Sequence, residues 1–134
     1  LIIDTTLDSV ATDIRFDYVV AQSIFSHTAP DLLERWIRDV SQRLSDSGVV
    51  FATFLEGDVE CAGSGWIYPE CVEYPKEAVA SLARRYGLEC EVLDWYHPRQ
   101  TWCALFPQGF NRKLLHCGSP SWNQFGALHA ASEV

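Results

Sequence analysis

Residues Phe16 to Phe25 read FDYVVAQSIF, followed by Ser26 and His27. The run is rich in β-formers and mostly apolar, with little alternation of apolar and polar positions. A strand covered on both faces has this composition, and such strands occur in parallel sheets flanked by helices. The next stretch predicts a helix. Thr28 is placed to cap it, Pro30 stands in its first turn, and Asp31 lies three residues past the cap, a capping-box spacing with Asp in place of Glu. Leu33, Trp36, Ile37, Val40 and Leu44 then fall in steps of three and four, which makes one apolar stripe. Asp31, Glu34, Arg35, Arg38 and Asp39 form the solvated face. Asp46-Ser47-Gly48 reads as the turn that ends it.

The pattern continues on both sides. Val49 to Leu55 (VVFATFL) is a second apolar β run. Upstream, residues 1–4 read as the end of a strand and residues 5–15 as polar turns. Downstream, residues 56–73 form a long loop carrying Gly57, Gly63, Gly65, Trp66 and Tyr68. Loops of this length in compact domains are functional or disordered, and the aromatics favour function. Pro75 opens a second helix with Ala78, Val79, Leu82, Ala83 and Tyr86 on one stripe and Gly87 as its stop. Cys90–Tyr96 and Gln100–Phe106 flank His97-Pro98-Arg99 as an antiparallel hairpin. Alternating β and α elements predict an α/β fold. Its sheet is mostly parallel, with helices on both faces and a closing antiparallel hairpin.

Composition narrows the function classes. The chain has 134 residues, 48% hydrophobic and 21% charged, which fits one globular domain and excludes intrinsic disorder. No run approaches the ~18 uncharged apolar residues of a membrane span. The net charge of −8 excludes a nonspecific grip on nucleic-acid phosphate or on an anionic membrane. No Met is present and the chain opens in the apolar run Leu1-Ile2-Ile3, so a trimmed or partial chain is expected. Asp4 interrupts that run and no basic region precedes it, unlike a signal peptide. Cys61, Cys71, Cys90, Cys103 and Cys117 lack the short paired spacings of zinc sites, so no metal is expected. Cys103 reads as a small buried hydrophobe, and the set as reduced thiols of a cytoplasmic protein.

Taken in order, these residues resemble the C-terminal part of class I (Rossmann-like) S-adenosylmethionine-dependent methyltransferases. Phe16–His27 looks like the fourth-strand motif of that family. The helix Asp31–Leu44 and the turn Ser45–Gly48 look like its "helix, Leu-x-Pro-Gly-Gly" element, with Ser45-Asp46-Ser47-Gly48 in place of Pro-Gly-Gly. Val49–Leu55 would be strand five, and the hairpin strands six and seven, the seventh antiparallel. The resemblance covers residues 1–107 and leaves 108–134 as a C-terminal tail. It is greatest to small-molecule or natural-product methyltransferases. The family's glycine-rich loop after strand one and the acidic end of strand two have no counterpart here, and Gly63-x-Gly65 does not replace them. The resemblance implies methyl transfer from S-adenosylmethionine to a small-molecule O, N or C nucleophile in the intact protein. This chain would be a truncated, inactive portion of it.

The resemblance also assigns roles. Asp4, with Thr5 beside it, would hold the adenine amino group; otherwise Asp4 starts a turn. Ala21, Gln22 and Ser23, at a carboxyl strand end, would face the methionine part of the cofactor; otherwise they pack the strand end. His27 would face the cleft as a general base, or it flanks the helix bonded to backbone, since many members need only proximity. His97 would reach the substrate side, or it caps the hairpin turn. Trp66 and Tyr68 would wall a substrate, or they pack in the core. Glu56 and Asp58 read as a solvated loop. The rival reading is a non-enzymatic α/β domain that self-associates through an exposed sheet edge.

Overall fold

The apolar runs become strands, in a computed structural model that describes residues 6–58, 61 and 63–116. Asp4, Thr5, Cys117 and the tail beyond it lie outside the described residues. The elements are β1 (Phe16–Ala21), α1 (Pro30–Ser41), β2 (Leu44–Glu56), β3 (Glu73–Tyr74), α2 (Lys76–Arg85), β4 (Leu88–Leu93) and β5 (Thr101–Pro107). Short 3₁₀ turns cover Phe25–His27 and Arg112–His116. The sheet runs β1-β2-β5-β4, and β3 pairs with the end of β2. β1 and β3 are parallel to β2, whereas β5 is antiparallel to both β2 and β4. Four strands therefore share one direction and β5 alone opposes them. The expected α/β class and its antiparallel hairpin stand.

Side chains alternate across the sheet, as a pleated strand requires. On β2, Val50, Ala52 and Phe54 join Cys103 and Leu105 of β5 beneath the apolar stripes of α1 (Leu33, Ile37, Val40) and α2 (Val79, Ala83). Val49 joins Ala104 and Phe106 on the opposite face, where Leu115 of the second 3₁₀ turn covers them. Among the described residues both α-helices thus share one face, where helices on both faces were expected, and a 3₁₀ turn packs on the other. The helices are tied at their surface by Glu34, which accepts from Arg85 at 2.6 Å and from the Tyr86 hydroxyl at 2.7 Å. Hydrogen bonding from Tyr86, then from Arg85, holds the Glu34 carboxyl below its ordinary value. No helix among the described residues is long and apolar enough to cross a membrane.

Three local expectations are corrected. β1 is not covered on both faces: Tyr18 is 75% exposed and Val20 66%, because they pair with Val49 and Phe51 on the face opposite α1 and α2. Thr28 does not cap α1. Its hydroxyl donates to the Ile24 carbonyl at 2.6 Å, and Ala29 occupies the N-cap without a side-chain bond. The turn expected at Ser45–Gly48 is drawn into β2 as a bulge, since Phe16 opposes Leu44 while Tyr18 already opposes Val49. Gly48 is needed there: a Cβ would sit 2.6 Å from the Phe16 carbonyl oxygen.

Candidate functional site

Strand β1 ends against β2, where Ala21 pairs with Ala52 and is 1% exposed. The chain then turns sharply. Ser23 has φ +57, a left-handed conformation that is uncommon for a residue with a side chain. Its N–H donates to Oγ1 of buried Thr53 at 2.7 Å, which holds the turn against β2. Gln22 is exposed beside it. Ala21, Gln22 and Ser23 thus lie together at the carboxyl edge of the sheet. Ligands of open α/β sheets bind along that edge.

Phe25, fully buried with its ring 5.7 Å from Trp36, anchors the 3₁₀ turn that presents His27. The His27 Nδ1 lies 2.7 Å from the Glu70 carbonyl oxygen and 3.8 Å from the Cys71 sulfur. A carbonyl only accepts, so Nδ1 carries the proton in the bond to Glu70, and in the neutral ring Nε2 keeps its lone pair. Tyr68 packs edge-on at 5.0 Å from the imidazole, and Trp66 lies at 5.9 Å. Three of the predicted residues, His27, Trp66 and Tyr68, therefore form one cluster. Both aromatics remain open to solvent, Trp66 at 46% and Tyr68 at 65% exposure, so core packing is not their role.

The loop that brings them there is laced to the His27 segment. Ala29 N–H donates to the Gly65 carbonyl, Ile67 N–H to the His27 carbonyl and Val72 N–H to the Ser26 carbonyl, each at 2.9 Å. The Tyr74 hydroxyl donates to the Thr28 carbonyl at 2.7 Å, and its burial pushes that hydroxyl's pKa well up. Two openings flank Trp66. One, about 370 Å³, is lined by Val20, Ala21, Ile24, Leu32 and Trp36. The other, about 460 Å³, is lined by Cys61, Tyr68, Glu70 and Cys71.

His97 is placed differently. It follows β4, is 9% exposed, and its Nδ1 accepts the Gln100 N–H at 2.9 Å and the Arg99 N–H at 3.2 Å. Burial, then the nearby Arg99 charge, lowers its pKa. That nitrogen is spent on the turn, and the ring packs near Trp102 at 6.3 Å. Its link to the His27 segment runs through Gln100, whose side-chain amide donates to Ser26 Oγ at 3.3 Å. Glu56 takes up Lys76 at 3.3 Å and Thr101 Oγ1 at 3.2 Å, and Asp58 is exposed. Asp31, Thr53, Glu70 and Cys71 were not legible as site residues. Each meets its partner at least 30 positions away in the chain, beyond the reach of any local spacing rule.

No family model and no curated protein matches the sequence. Solved structures do match. A methyltransferase from Bacteroides fragilis, crystallised with S-adenosylhomocysteine, superposes with a TM-score of 0.55 at 11% identity, over 75% of this chain and 51% of that one. The methyltransferase SibL, in its apo form, gives 0.58 at 12% identity, over 79% of this chain and 35% of that one. The O-methyltransferase NcsB1 of neocarzinostatin biosynthesis, in complex with S-adenosylhomocysteine and 1,4-dihydroxy-2-naphthoic acid, gives 0.51 at 16% identity, over 68% and 29%. The chain spans between about a third and a half of the length of these structures. Its described residues carry the fold of part of a Rossmann-like methyltransferase domain.

Proposed function

We propose that this chain serves S-adenosylmethionine-dependent methyl transfer to a small-molecule nucleophile, as the C-terminal part of a larger catalytic domain. The observation that carries the reading is the sheet order β1-β2-β5-β4 with β5 reversed, which sets Ala21–Ser23 and His27 on one carboxyl edge. The cofactor would supply a methyl group on sulfonium sulfur, open to in-line displacement. The residues present fit part of that ligand. Ala21 lines the opening beside Trp66, where its small side chain lets a ligand approach the strand end closely, and exposed Gln22 offers an amide. A cradle for the cofactor's ribose and amino-acid ends would come from polypeptide beyond these 134 residues, so the chain alone is inactive. His27, with Nδ1 engaged by the Glu70 carbonyl, takes the acceptor's proton at Nε2. Trp66 and Tyr68 orient a flat acceptor against it. NcsB1 with its dihydroxynaphthoic acid supports an aromatic hydroxyl as the acceptor class.

Calorimetric titration with S-adenosylhomocysteine tests this. The 134-residue chain is expected to bind more weakly than about 1 mM. A longer polypeptide that includes the upstream sequence is expected to bind in the micromolar range, and Asp4→Ala weakens that binding. A longer polypeptide that fails to bind overturns the proposal. A second reading, a domain that self-associates through its sheet edge, is favoured by one observation: β1 is outermost among the described strands and exposes Tyr18 and Val20.

A further inference from the structure

Asp31 was expected on the solvated face of α1, yet both of its carboxylate oxygens receive the Gly65 N–H, at 2.9 and 3.1 Å. Gly65 stands at φ +70, where a Cβ would strain the backbone, and nothing lies within 4 Å of the space a Cβ would take. Two bonds hold the residue: its N–H donates to Asp31 and its carbonyl accepts from the Ala29 N–H at 2.9 Å. From this point the chain carries Trp66 and Tyr68 alongside His27 and arrives at Glu70, whose carbonyl accepts from His27 Nδ1. Along the way the Ile67 N–H grips the His27 carbonyl, and beyond Glu70 the Val72 N–H grips the Ser26 carbonyl. The arch is therefore pinned at both ends to the segment that bears His27. At its amino-terminal end the Asp31 bond adds to the Ala29–Gly65 backbone bond, and it is charge-assisted, stronger than its neutral counterparts.

We propose that Asp31 is a positioning residue for His27: by holding the Gly65 N–H it seats the arch so that the Glu70 carbonyl fixes the Nδ1–H tautomer. A neutral imidazole has one donor nitrogen and one acceptor, and the partner of the first decides which nitrogen keeps the lone pair. Asp31 thereby directs the basic nitrogen, Nε2, without touching the ring. The inference deepens the reading of His27 as the base and rests on it for its catalytic meaning.

The test is ring-nitrogen NMR of the ¹⁵N-labelled chain, recorded with His27 in its neutral form, together with amide exchange at Gly65. The wild-type ring is expected to show one dominant tautomer, protonated on Nδ1. Asp31→Ala is expected to mix the two tautomers and to speed Gly65 exchange about tenfold or more. Asp31→Asn keeps an acceptor oxygen at the same reach and restores both signals. Asp31→Ser, with a shorter acceptor, falls between. Asp31 is exposed, and unchanged amide shifts in β2 and β5 show that the variants are folded. An Asp31→Ala protein that keeps the Nδ1–H form overturns the proposal, as does an Asn variant that fails to restore it. The readout uses neither cofactor nor methyl acceptor, so a failure here leaves the methyl-transfer reading standing. Failure of cofactor binding likewise leaves the tautomer result intact.

Discussion

His97 holds its turn by accepting, with Nδ1 facing two backbone N–H groups. Protonation would turn that acceptor into a donor against two donors. Burial and the Arg99 charge accordingly lower its folded-state pKa below the unfolded value. The sign follows. The unfolded chain takes up a proton first as pH falls through about 6.5, and the folded ring resists it. The His97 contribution is complete above that pH and is lost progressively toward the lower, folded pKa. The denaturation midpoint in urea is expected to fall between pH 7 and 5. His97→Asn, which keeps an acceptor in the turn, is expected to flatten that slope. An unchanged slope in the variant would assign the pH dependence to other groups. At this scale the sequence was partly readable. His27 stood out because it follows an apolar strand at a fixed short distance. The Nδ1 contacts of either histidine depend on which carbonyl or N–H the folded chain delivers, and that is a tertiary fact.

At the scale of elements, the apolar periodicities were reliable where burial enforces them. Leu33, Ile37 and Val40 are the buried stripe of α1, and Gly87 ends α2 with φ +76. Gly87→Ala is expected to cost about 1–2 kcal/mol, because a Cβ opposes the left-handed conformation. Gly109 lacks positive φ and has an open Cβ site, so Gly109→Ala is the control. It is expected to be neutral or slightly stabilising. Chemical denaturation of both variants checks the pair. The caps were misread for a physical reason. Thr28 and Asp31 have the right types and spacing to cap α1, but the Thr28 hydroxyl donates back to the Ile24 carbonyl four residues earlier, and Asp31 accepts from the distant Gly65 N–H. The start of β2 was misread in the same way. Ser45–Gly48 has turn composition, yet pairing with β1 draws it into the strand as a bulge.

At the scale of the molecule, the two sides of the sheet are dressed unequally. The helix face is closed by α1 and α2. The other face has Trp95 stacked on Phe51 at 4.9 Å and the single turn around Leu115, while Tyr18 and Val20 stay open at the β1 edge. An exposed apolar edge strand is a template for pairing, and a charge on it blocks pairing. Light scattering is expected to show concentration-dependent association of the chain, and Val20→Lys is expected to return it to a 15 kDa monomer. A wild-type chain that stays monomeric at high concentration counts against edge pairing. The composition of β1 suggested a strand covered on both sides, and the sequence contains no sign of what lies against Tyr18 and Val20.

The place of β5 has a consequence for how the molecule is made. Of the described strands it is the last to be synthesised, yet it sits between β2 and β4 and bonds to both. Until residues 101–107 leave the ribosome, β2 has, among the described strands, only its β1 side and the short β3 contact satisfied, and β4 has no partner among them. Synthesis can therefore build the β1–α1–β2 unit early and hold it, while assembly of the described sheet waits on one late segment. A pause or a cut just upstream of Thr101 would release two unfinished edges at once.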